Sequence, residues 1–241
     1  ASTNSTAWFY KAQIYQNLAK AHPEDPTLYA TAFEAAKTYV QLEEKQPENK
    51  RYLTSTLEGN KTLFDFYSSS FKAGADAFNK HDYQLAFNDF QRTLDAFDLL
   101  RQYKFTTVTF DTTSVLYAGV SAEQLKNKEQ AIKYYSMLAD KKVNDTTYSG
   151  IYEYIVNYYT LGKDNANARK YLTIAEEVFP KNERWLAYEM ELVGDSKEQN
   201  RYLASGLARA NLALTLEQSQ QEGSDHRYAS SAVQQERSQW Q

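Results

Sequence analysis

The side chains able to do chemistry are few and badly placed for it. The chain has three histidines, His22, His81 and His226, and none has a His or Glu four residues on, the spacing that sets two metal ligands on one helix face. They read as exposed histidines of a proline loop, a turn and a polar tail. The adjacent carboxylates Glu43 and Glu44, and Glu176 and Glu177, diverge by about 100° around a helix of 3.6 residues per turn. They read as solvated faces, not as an acid and base sharing a substrate. There is no cysteine, which removes thiolate nucleophiles, zinc-thiolate sites and disulfides together. No glycine-rich phosphate cradle and no hydrolase serine motif occurs. The expectation is a non-enzyme with no catalytic residue, no metal and no cofactor.

A chain without reactive chemistry acts through its surface, so the elements that shape that surface come next. The 241 residues hold 42% hydrophobic side chains but only 8 Gly and 4 Pro, too little punctuation for the many turns of a β protein. The fold class expected is all-α. The formal net charge of -4 argues against nucleic acid as a partner, because phosphate binding rests on clustered Lys and Arg. No run of 18 apolar residues suggests a transmembrane segment, and the chain opens on polar residues without a basic and then apolar leader. Tyrosine is abundant, with 20 copies, and its apolar ring and polar tip suit half-buried helix faces.

Periodicity predicts a first helix after Ser5 or Thr6, a proline loop from His22 to Pro26, and a second helix ending near Gln46 and Pro47. The pattern from Arg51 to Lys80 fits one long helix or two broken near Gly59 and Asn60, and the break or kink is the favoured reading. A partner helix runs from Tyr83 to about Tyr103. The segment from Lys104 to Phe110 alternates like a strand but has no partner strand, so it reads as an extended loop. Asp111 to Ser114 offer helix caps, and two further hairpins span Val115 to Asp140 and Tyr148 to Phe179.

The hairpins share a pattern. A small residue in the second helix recurs at Ala35, Ala86, Ala131 and Ala168, with a large one four residues later at Tyr39, Phe90, Tyr135 and Leu172, at intervals of 51, 45 and 37 residues. The clearest copy runs Gly74, Phe78, Tyr83, Ala86, Phe90, supplying small residues where two antiparallel helices touch and large ones where they interlock. An undecorated two-helix repeat of this kind is about 34 residues long.

These residues resemble the tetratricopeptide repeat family. The likeness is carried by Gly74, Tyr83, Ala86 and Phe90 in one unit, by Gly119, Ala131 and Tyr135 in the next, and by Tyr158, Gly162, Ala168, Ala175 and Pro180 in the last. The N-terminal unit matches through Ala35, Tyr39 and Pro47. His81 stands where the family usually has a turn glycine, and Asn165 to Asn167 reads as a one-residue insertion. The resemblance implies a right-handed solenoid over residues 1–216, with units at about 7–47, 67–100, 112–145 and 148–181. A C-terminal cap follows at 183–216, carried by Trp185, Leu186, Tyr188 and Leu192 and then by Leu203, Leu207, Ala210 and Leu214. Residues 217–241 read as a polar tail.

In the resembling family, ligands lie in the groove lined by the first helix of each hairpin. Those positions fall here on Phe71, Phe78 and Asn79, on Leu116, Glu123 and Gln124, and on Tyr152, Tyr159 and Thr160. Phe71 with Phe78, and Tyr152 with Tyr159, lie seven residues apart and so share a helical face. A clamp for a terminal carboxylate needs clustered cations, and this set supplies aromatics and an acid. The resemblance therefore implies a non-catalytic scaffold binding a protein or peptide. The alternatives are a structural assembly component of the bacterial cell envelope and a carbohydrate-binding helical protein. The run Trp8, Phe9, Tyr10, Lys11, Ala12, Gln13, Ile14, Tyr15 and the lead-in Asp111, Thr112, Thr113 resemble exported bacterial envelope members of the family. That implies a periplasmic or envelope location, with the cytoplasm as the alternative.

Overall fold

The computed structural model describes residues 3–193. Among them the chain is all-helical, with ten α-helices packed in adjacent pairs and no strand. It forms two compact units, Ala1–Lys141 and Lys142–Gln241.

In the first unit, α1 (Ser5–Ala21) pairs with α2 (Pro26–Glu43), α4 (Lys61–Asn79) with α5 (Tyr83–Gln102), and α6 (Thr112–Gln124) with α7 (Lys128–Asp140), while α5 also packs on α6. Capping explains where these helices start. The side chains of Asn4, Asp25, Asp82, Asp111 and Asn127 each accept a backbone N–H from the first turn, satisfying a donor that would otherwise lack a partner. Pro26 then opens α2, where its missing N–H costs nothing. The expected break falls at Gly59 and Asn60, whose φ angles of 64° and 58° are left-handed, and a short α3 (Leu53–Leu57) precedes it. The stretch from 106 to 111 is irregular backbone, as the absence of a partner strand required.

The core of the first two hairpins is built from Phe9, Tyr39, Phe66 and small alanines of α2, all at most 2% exposed. Tyr39 is completely buried, and its hydroxyl finds the Ser55 side chain at 3.0 Å. A buried phenol needs such a partner to offset its lost hydration. One expectation is overturned here. Glu43 and Glu44 are not a solvated face: Glu43 is 5% exposed and accepts the Tyr52 backbone N–H, and Glu44 accepts the Tyr52 hydroxyl at 2.5 Å and Arg51 at 3.2 Å. They anchor the end of α2 to the segment before α3.

In the second unit, α8 (Ser149–Leu161) pairs with α9 (Asn165–Val178), and α10 (Arg184–Val193) packs on both. Trp185, 3% exposed, fixes α10 by donating its indole N–H to the Phe179 carbonyl at 2.8 Å. The expected second cap helix around 202–216 and the tail at 217–241 lie outside the described residues.

Three hairpins turn in the same way. At the end of the first helix His81, Lys126 and Lys163 adopt left-handed φ angles of 61°, 60° and 58°. The following residue, Asp82, Asn127 or Asp164, donates its N–H back to Ala77, Ala122 or Tyr159 at 2.9–3.0 Å. This is the double-bonded helix ending that glycine usually supplies. The same Asp or Asn caps the next helix. Four residues on lie Ala86, Ala131 and Ala168, all fully buried, and eight on lie Phe90, Tyr135 and Leu172. The turn of the third hairpin has no extra residue, so the insertion expected at Asn165 to Asn167 is absent.

Candidate functional site

Counting from these turns fixes which first-helix residues are equivalent. Gly74 and Gly119 sit eight residues before the capping residue, and the same count in the third hairpin reaches Val156. The outward set Phe71, Ala75, Phe78, Asn79 then matches Leu116, Val120, Glu123, Gln124 position for position. In α8 the match is Glu153, Asn157, Thr160 and Leu161. The sequence reading therefore set α8 one residue out of register, and only Thr160 remains among the matched positions.

The structure shows why the shift matters. Tyr152 is 0% exposed, edge-on to Phe179 at 5.2 Å, and donates its hydroxyl to the Val143 carbonyl at 2.9 Å. It is a core residue and is withdrawn from the groove set. Tyr159 is half-buried and lies flat on Tyr171 at 5.6 Å, an intra-hairpin contact. Thr160 is half-buried with its hydroxyl oxygen lacking a hydrogen-bond partner.

In the first unit the picture is mixed. Phe71 is half-buried, edge-on to Phe90 at 5.9 Å. Phe78 is held between Tyr83 at 5.5 Å and Tyr117 at 5.0 Å, so much of its ring joins α4 to α5 and α6. Glu123 is half-buried and accepts the Tyr135 hydroxyl at 2.5 Å. Leu116 is half-buried, while Asn79 and Gln124 are exposed. The exposed members of this surface are thus the two amides, while Phe71, stacked on Tyr67 as well, Phe78, Leu116 and Glu123 are half-buried.

Sequence reasoning missed two features. On α1, Tyr10, Ile14 and Leu18 are 51%, 57% and 40% exposed. With Asn17 they repeat the spacing of Phe71, Ala75, Phe78 and Asn79. The signal was present: α1 carries Trp8, Phe9, Tyr10, Ile14, Tyr15 and Leu18, more apolar positions than one core-facing stripe can absorb.

The second feature is a polar cluster between the first two hairpins. Asp89, 4% exposed, pairs with Arg92 at 2.9 Å. The Arg92 guanidinium lies 4.7 Å from the centre of the Tyr29 ring, and Ser70 donates to the Tyr29 hydroxyl at 3.3 Å. Burial pushes the Asp89 carboxyl above its ordinary value, with Arg92 pulling the other way. Burial also pushes the Tyr29 phenol up to about 12, so it stays neutral. An acid within the otherwise buried row Ala86, Phe87, Phe90, Thr93 was the sequence signal for this cluster.

None of these groups forms a nucleophile and base pair. His22 meets Glu24 at 3.2 Å and His81 meets Tyr83 at 2.9 Å, each within its own turn. No helix among the described residues is long and apolar enough to cross a membrane. Comparison of the chain with protein-family models, with curated proteins and with solved structures gives no match.

Proposed function

We propose that this chain is a non-catalytic scaffold of tetratricopeptide-repeat type that binds a peptide segment of a partner protein along the outward face of its first helices. The observation that carries the reading is the repetition of one hairpin design. Gly74 with Ala86 and Phe90, and Gly119 with Ala131 and Tyr135, occupy equivalent places around equivalent turns. A stack of such units offers a continuous, largely rigid surface, which is what repeat proteins use for recognition. Within the first unit, Tyr10, Ile14, Phe71 and Leu116 supply apolar contacts, and Asn17, Asn79 and Gln124 supply amides for a backbone. An envelope location, implied by the resemblance, belongs to the same proposal and is tested by cell fractionation.

The binding reading is tested by selecting ligands from a displayed peptide library against the purified chain. Selected peptides are expected to lose affinity for Ile14→Ser and Phe71→Ser variants that melt close to the parent. Failure to enrich any peptide, or enriched peptides indifferent to both substitutions, contradicts it. A second reading, a structural assembly component whose groove is filled by its own side chains, is favoured by the seating of Phe78 between Tyr83 and Tyr117.

A further inference from the structure

Helix α1 carries no acidic residue. Apart from Lys20, its exposed residues Ala7, Tyr10, Ile14, Asn17, Leu18 and Ala21 fall within about 100° of the helix circumference at 3.6 residues per turn. That face is uncharged. Both lysines of the helix are engaged to its sides: Lys20 pairs with Asp65 at 3.1 Å, and the Lys11 ammonium lies over the Trp8 and Tyr15 rings at 4.8 and 5.9 Å. Beside the first half of α1, the side chains of Thr6 and Gln13 bond those of Thr54 and Glu58 and hold α3 along it. Leu53 and Leu57, one turn apart on α3, continue the apolar surface at 59% and 91% exposure. A contiguous apolar patch of this kind marks an interaction site.

The order of the residues indicates the occupant. Ala7, Tyr10, Ile14, Leu18 and Ala21 follow at steps of three, four, four and three, so the row reads small, large, large, large, small from either end. A row symmetrical about its middle residue fits a second copy laid antiparallel, with a two-fold axis at Ile14. Tyr10 then meets Leu18 of the other copy, Ala7 meets its Ala21, and Ile14 meets Ile14. An isologous interface requires this, each contact being made twice. No charge is buried in the pairing, and Asn17 stays at the margin of the row as part of a polar rim. Taking roughly 170 Å² for a large apolar side chain, the uncovered parts of Tyr10, Ile14, Leu18, Leu53 and Leu57 amount to about 500 Å² per copy. With Ala7, Asn17 and Ala21 the face approaches the roughly 800 Å² per partner of a standard interface. A membrane surface would instead select lysines along the polar flanks, and those of α1 are already engaged.

We infer that two copies of this chain associate through α1, antiparallel about Ile14, in a reversible dimer that covers the α1 part of the first-helix face. Dilution frees α1, and a peptide using Tyr10 and Ile14 competes with the second copy. The inference stands on α1 and α3 alone and does not rest on peptide binding.

Sedimentation velocity on the full chain from about 1 to 500 µM should show monomer converting to dimer. Ile14→Glu sets two carboxylates against each other at the axis and should keep the chain monomeric throughout, with its melting temperature unchanged because the side chain is exposed. The chain has no cysteine, so single cysteines report the geometry. Ile14→Cys should give a disulfide-linked dimer under mild oxidation, and a mixture of Tyr10→Cys with Leu18→Cys should give the mixed dimer, identified by mass. Ala7→Cys alone should not link, since antiparallel packing sets the two copies of position 7 about 21 Å apart along the helices, beyond disulfide reach. A monomer at every concentration, a dimer untouched by Ile14→Glu, or Ala7→Cys linking as readily as Ile14→Cys overturns the inference. Adsorption of a monomeric chain to phosphatidylcholine vesicles, abolished by Ile14→Glu, assigns the face to a membrane and overturns it as well. Peptide affinity lost in Ile14→Ser, with no dimer at any concentration, overturns it and leaves the peptide reading standing. A dimer with the predicted cross-links and no enriched peptide does the reverse.

Discussion

A methyl group added to Gly119 falls 2.6 Å from the ring of Tyr135, and one added to Gly74 falls 3.2 Å from the ring of Phe90. The glycine of the first helix and the aromatic of the second are thus one fitted pair in two successive hairpins. At the equivalent place in the third hairpin Val156 replaces the glycine and Leu172 the ring, and both are buried. A larger residue on one helix goes with a smaller one on the other.

This pairing predicts a graded cost. Gly119→Ala should destabilise by about 1 to 3 kcal/mol through overpacking, more than Gly74→Ala, because 2.6 Å leaves no room and 3.2 Å needs only a small shift. Adding Tyr135→Leu to Gly119→Ala should recover part of the loss. Denaturant unfolding of the parent, Gly74→Ala, Gly119→Ala, Tyr135→Leu and the double variant measures it, and additive losses in the double variant would contradict the pairing.

The left-handed lysines predict a gain. Lys126 and Lys163 hold φ angles of 60° and 58°, a conformation that costs a side-chain-bearing residue about 1 to 2 kcal/mol. Glycine removes that cost but loses more chain entropy on folding, about 0.5 to 1 kcal/mol. Lys126→Gly and Lys163→Gly should each stabilise by about 0.5 kcal/mol net, read as a higher denaturation midpoint at constant slope.

Burial separates the tyrosine withdrawn from the groove from the exposed residues of α1. Tyr152→Ala should cost about 3 to 5 kcal/mol, as large aromatic truncations in a core do. Ile14→Ser should stay within about 0.5 kcal/mol. Phe78→Ser should fall between them, since its ring joins three helices yet is half-buried. Thermal melts rank the three.

Acid titration should single out Asp89. Burial raises its carboxyl above the ordinary 3.8, against the pull of Arg92, so the folded chain holds this proton more tightly than the unfolded one. Stability from this group is therefore present at low pH and is lost as pH rises through the raised value. Asp89→Asn removes that dependence, and its stability relative to the parent should improve from acid toward neutral pH. A relative decline over the same range would show that pairing with Arg92 outweighs burial.

Much of the fold was legible because close contacts restrict residue choice. Ala86, Ala131 and Ala168 announce hairpins, since nothing larger fits where two helix backbones approach. Caps such as Asp82 and Asp111 are short-range chemistry and could be placed from the sequence. The register of α8 could not, because Gly162 and Asn165 look like additional turn residues while Lys163 takes the left-handed position that glycine usually marks. The polar cluster between the first two hairpins was hidden for a different reason: Tyr29 and Arg92 lie 63 residues apart, and only the docking of two hairpins brings them together. Glu43 and Glu44 were misread because the strained, left-handed Tyr52 that claims them leaves no local signature.

The most direct measurement is hydrogen exchange by mass spectrometry on the chain alone and in complex with a peptide from the displayed-library selection. Recognition along the first helices predicts slowed exchange in α1, α4 and α6, over residues 10–18, 71–79 and 116–124, with α7 unchanged. Protection confined to α5 and α7, or none at saturating peptide, would contradict the account.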